Sequence, residues 1–68
     1  MAQKKYPALF ERIEQFQRLV AYNTLCMAGQ EAENFIIRST RNRYKAGCIL
    51  IDDGVFTEEE LINEFPLN

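Results

Sequence analysis

The stretch QEAENFIIRSTRNRYKAGCILIDD, residues 30–53, decides the fold. Ile37, Tyr44 and Ile51 recur at seven-residue spacing with Thr40 and Gly47 between them, and Ile36 and Cys48 extend the same stripe, as on one apolar face of a helix. Glu31 and Glu33 stand where carboxylates favour a helix N-terminus, and Gly54 suits the left-handed residue that ends one. The spacing predicts a helix over 30–53. Thr40 and Gly47 are small residues seven apart on its seam, and a mid-helix glycine costs about 1 kcal/mol against alanine. Gly47 therefore predicts a close approach by another backbone.

Upstream, Pro7 fits the first helical position, and Leu9, Ile13, Phe16, Val20 and Met27 form a stripe opposite Glu11, Glu14, Gln15 and Arg18. A first helix is predicted over 7–27, after a flexible N-terminus over 1–5. After Val20, Tyr22, Leu25 and Cys26 put apolar groups on the side that is polar a turn earlier. That predicts a helix covered all round, the reading preferred here, or an interruption at Asn23 and Thr24. Ala28, Gly29 and Gln30 form the predicted turn. Downstream, Thr57 and Glu60 have the spacing of a capping box, Phe56 and Leu61 that of a hydrophobic staple, and Pro66 is a stop. A short third helix is predicted over 58–64.

These elements define an all-α single domain over 1–68: an antiparallel helical hairpin plus a short C-terminal third helix. A 68-residue chain buries only about 60% of the surface its unfolded form exposes, and small cores usually need a disulfide, a metal or a partner. There is no histidine, and Cys26 and Cys48 are not in a CxxC pair, so no metal and no cofactor is expected and both thiols are taken as reduced and buried. Association remains. Ile13, Val20, Met27, Ile37, Thr40, Tyr44, Gly47 and Ile51 form the expected seam of a homodimer, a four-helix bundle.

Without an imidazole, Ser–His–Asp and Cys–His chemistry is closed, and three glycines cannot build a phosphate-cradling loop. No enzyme is expected. No apolar run approaches the roughly 20 residues of a membrane span. Lys4 and Lys5 precede Glu11, Arg12 and Glu14 rather than an apolar signal segment, so a cytoplasmic location is expected.

Above a net charge of −2 stands one local feature: Arg38, Arg41, Arg43 and Lys45, four cations in eight residues with no acid among them. At 100° per residue Arg38, Arg41 and Lys45 fall within an arc of roughly 60°, flanked by Asn34 and Asn42. This strip, with Tyr22 and Phe35 as aromatic anchors, is the candidate partner-binding surface. The expectation is a non-catalytic regulator or inhibitor, of the sort bacteria and phages encode, that binds a larger protein. Two alternatives stand beside it: an RNA or small-nucleotide binder through the same strip, or a structural subunit that docks through the acidic third helix.

Overall fold

The computed structural model describes residues 4–67, and these are helical with no strand among them. α1 spans Pro7–Leu19, a π-helical turn follows over Val20–Thr24, α2 spans Gly29–Asp52 and α3 spans Glu58–Asn63. Pro7 opens α1, preceded by Tyr6, whose N–H donates to the Tyr44 hydroxyl at 2.9 Å. Residues 1–3 of the predicted flexible N-terminus lie outside the described residues. Lys4 and Lys5 are engaged: Lys4 Nζ stands 4.3 Å from the Phe10 ring centre, and Lys5 Nζ is 2.9 Å from Asp52 Oδ1.

The first helix does not run on as an α-helix to Met27. From Val20 its turns widen, the Leu25 N–H closing on the Val20 carbonyl at 2.8 Å and the Met27 N–H on the Ala21 carbonyl at 2.8 Å. Wider turns rotate the residues that follow out of the phase set by α1, so Tyr22, Asn23, Thr24, Leu25 and Cys26 all face solvent. The covered-all-round expectation is thus replaced by an interruption. Cys26, at φ +54°, takes the left-handed position that ends the helix, and this leaves its side chain exposed instead of buried. Gly29 is left-handed as well, at φ +62°, but it is the first residue of α2.

The buried stripes are spaced by four rather than by seven. On α1 and the π turn they are Leu9, Ile13, Gln17 and Ala21; on α2 they include Ala32, Ile36 and Thr40 before Gly47. Phe16 and Val20 are only half-buried, and Ile36 is buried while Ile37 is 51% exposed. α3 packs back against α1. Leu61 joins Leu9 and Ile13 in the main cluster, with Tyr44, Leu50, Ile51, Ile62 and Phe65 packed around it.

The end of α2 and the start of α3 follow local chemistry. At Gly54, φ +78°, the Val55 N–H reaches the Leu50 carbonyl and the Gly54 N–H the Ile51 carbonyl, each at 3.0 Å, which closes α2. Thr57 Oγ1 then accepts the Glu60 N–H at 3.1 Å while Glu60 Oε1 accepts the Thr57 N–H at 2.8 Å, completing the capping box. The helix ends at Asn63, one residue short of the expected boundary.

Candidate functional site

Several residues assigned by sequence to a seam between chains are used inside this one. Ile13 is fully covered and Thr40 nearly so. A Cβ at Gly47 would lie 3.1 Å from Leu9 Cδ2 and 3.4 Å from Leu61 Cδ1, so the close approach it permits is by the chain's own leucines. Tyr44 stacks edge-on against Phe10, ring centres 5.1 Å apart, and its hydroxyl holds the Tyr6 N–H. Ile51 packs on the same cluster, Val20 and Met27 are half-buried, and Ile37 is left plainly exposed.

The outer face of α2 is where surface chemistry goes unused. Arg38, Arg41, Arg43 and Lys45 are all exposed, and none has an acid within ion-pair distance among the described residues. The other described cations are occupied. Lys4 sits over Phe10, Lys5 pairs with Asp52, Arg12 Nη1 donates to the Phe65 carbonyl at 3.2 Å, and Arg18 bridges Glu33 at 3.1 Å and Glu14 at 3.8 Å. Asp52 lies at the C-terminal end of α2, where it would otherwise offset the strip. The Tyr6 hydroxyl, at 2.7 Å, and Lys5 claim it instead and hold its carboxyl below the usual aspartate range. The pairing raises Lys5 in turn.

Asn34 and Asn42 are exposed on the same face, Asn34 Oδ1 accepting from Gln30 Nε2 at 2.9 Å. Of the two aromatic anchors, Tyr22 stands apart from them. Tyr22 projects from the π turn and donates its hydroxyl to Glu33, a bond that raises the Tyr22 pKa and, aided by Arg18, lowers that of Glu33. Its hydroxyl is thus committed to the junction of the two long helices. Phe35 is half-buried, and its carbonyl accepts from Ser39 Oγ at 2.7 Å, which ties down the chain's one serine. The apolar residue that sequence reasoning missed is Ile49, 54% exposed. It continues the line Arg41–Lys45–Ile49 at four-residue steps, and this i,i+4 spacing is the signal that would have found it.

Arg43 belongs elsewhere. It is two residues from both Arg41 and Lys45, a rotation of about 200°, and it lines a cleft on the opposite side of α2. Among the described residues no group of three His, Cys, Asp or Glu side chains gathers closely enough to hold a metal ion, and no helix is long and apolar enough to cross a membrane. Comparison with protein-family models, with curated proteins and with solved structures found no match.

Proposed function

We propose that this chain is a non-catalytic interaction protein, a small regulator or inhibitor that docks the outer face of α2 onto an acidic surface of a larger protein. The observation that carries the proposal is the division of the cations: Lys4, Lys5, Arg12 and Arg18 serve the fold, while Arg38, Arg41 and Lys45 stand together, exposed and unpaired among the described residues. Ile37 and Ile49 supply exposed apolar contact beside the charges. Such a mixture suits a protein partner better than a polyphosphate, and a pI near 5.0 disfavours general nucleic-acid binding. Self-association into a helical dimer is part of the same proposal, now confined to residues with surface left to cover away from that face, among them Leu19, Tyr22 and Leu25. Unlinked Cys26 and Cys48 support work in a reducing, cytoplasmic setting.

The test is affinity capture from a lysate of the source cell with wild type and Arg41→Glu. Wild type should retain an acidic protein that the variant loses, with the variant's melting temperature unchanged; equal capture would discard the face. A parallel salt series with RNA separates the alternative, because phosphate contacts give a steep inverse dependence of affinity on salt.

A further inference from the structure

We infer that the C-terminal half of the outer face of α2 pairs with itself: its occupant is the same face of a second copy of this chain, turned antiparallel about Ile49. Three residues at four-residue steps carry the inference, Lys45, Ile49 and Asp53. All three are exposed, Ile49 at 54%, and neither charge has an ion partner among the described residues. Asp53 caps α2 with helical backbone angles, φ −83° and ψ −3°, so it continues the row beyond the last helical residue. Asp52 beside it is engaged by Lys5 and the Tyr6 hydroxyl, which leaves Asp53 as the free acid at this end of the helix.

Within one chain the two charges do not meet. Eight residues of helix separate them by about 12 Å along the axis, and the positions three and four residues from each hold no opposite charge. A second copy supplies what the first lacks. In a two-fold contact the residue four before the axis faces the residue four after it, and the same contact recurs on the other side. Centred on Ile49, the pairing sets Lys45 of each copy opposite Asp53 of the other, with the two Ile49 side chains covering one another between the two ion pairs. A row that runs positive, apolar, negative is complementary to its own reverse. An axis at Lys45 would stack the two lysines, and parallel copies would set each charge against its like. Rows at four-residue spacing are also those along which helices interdigitate. Val55 and Phe56 leave further apolar surface exposed at the same end of α2. One helical row per copy is a small contact, so the pairing is weak and reversible. The inference rests on the reading of this face as a contact surface and adds its regulation: an acidic protein that docks over Lys45 and Ile49 has to displace the second copy. The pairing is separate from a dimer through Leu19, Tyr22 and Leu25.

The experiment is amide NMR of the purified intact chain diluted from about 1 mM to about 20 μM, which brackets a weak pairing. The amides of Lys45, Ile49 and Asp53 should shift together along one association curve. Lys45→Glu and Asp53→Lys should each weaken that association roughly tenfold, because each turns two contacts of exposed ion-pair strength into repulsions. An equimolar mixture of the two variants, and the double variant Lys45→Glu with Asp53→Lys, should recover it, while circular dichroism melts confirm that every variant folds. Amides at 45–53 that ignore concentration, shifts centred instead on Leu19, Tyr22 and Leu25, or a charge swap that restores nothing would overturn the inference. So would shifts at 45–53 that arise only when lysate is added, the mark of a foreign partner alone. Capture of an acidic protein from lysate is measured separately: its failure leaves the charge-swap rescue standing, and failure of the rescue leaves the capture standing.

Discussion

Thr40 is 2% exposed, and its Oγ1 finds no hydrogen-bond partner among the described residues. A buried hydroxyl without a partner is a net loss, and valine has the same shape without the oxygen. Thr40→Val should therefore stabilise the chain by about 1 kcal/mol, a rise in melting temperature of about 4–8 °C for a domain of this size, measured by calorimetry. Gly47 tests the opposite limit. In Gly47→Ala the helix-propensity gain of about 1 kcal/mol is set against displacement of Leu9 and Leu61, whereas Gly47→Val must also place two γ-carbons and should lose about 2 kcal/mol in denaturant unfolding. Asp52 supplies a pH signature. Its folded pKa is depressed by the Tyr6 hydroxyl and Lys5, so its contribution is complete above the unfolded value of about 3.9 and disappears as pH falls through the lower folded value. Carboxyl NMR should find its midpoint below that of an ordinary aspartate; a midpoint at or above the ordinary value would mean that the N-terminal segment is not tied to α2.

Elements differ in how far local chemistry decides them. The capping box and the glycine stop are complete within a few residues, and both were legible in the sequence because Thr57, Glu60 and Gly54 need no distant partner to act. Thr57→Ala should cost about 1 kcal/mol and raise amide exchange in α3 while leaving α1 protected. The fate of the first helix beyond Val20 was not legible, because the phase of the wider turn is expressed only in what Ala21 packs against. The buried face of α2 was legible in part. Ile36, Thr40 and Gly47 belong to it, but choosing Ile36 over Ile37 requires knowing how α2 is turned toward α1, a relation between two elements. The cationic strip was fully readable, since Arg38, Arg41 and Lys45 share a face by helical geometry alone. Their lack of acid partners was not, because it depends on where Asp52, Glu14 and Glu33 spend their charges.

The molecule as a whole is thin, 36 × 31 × 15 Å, with a radius of gyration of 12.4 Å. A compact chain of this length would have a radius of about 11 Å. Its accessible surface, 4957 Å², likewise exceeds the roughly 4,500 Å² expected for its mass. Leu9, Ile13 and Leu61 form the buried cluster, while Leu19, Leu25, Ile37, Ile49 and Val55 remain substantially exposed. A plate of this kind offers much surface for little core, which suits the contact role proposed above. The surface proposed for that contact is the outer face of α2. Site-specific photocrosslinking tests it most directly, with the crosslinker placed at Ile49, in line with Arg41 and Lys45, or at Gln15, exposed on the far side of α1. A discrete adduct with an acidic protein is expected from position 49 and none from position 15. Adducts from position 15 alone, or the same adduct from both, would contradict it.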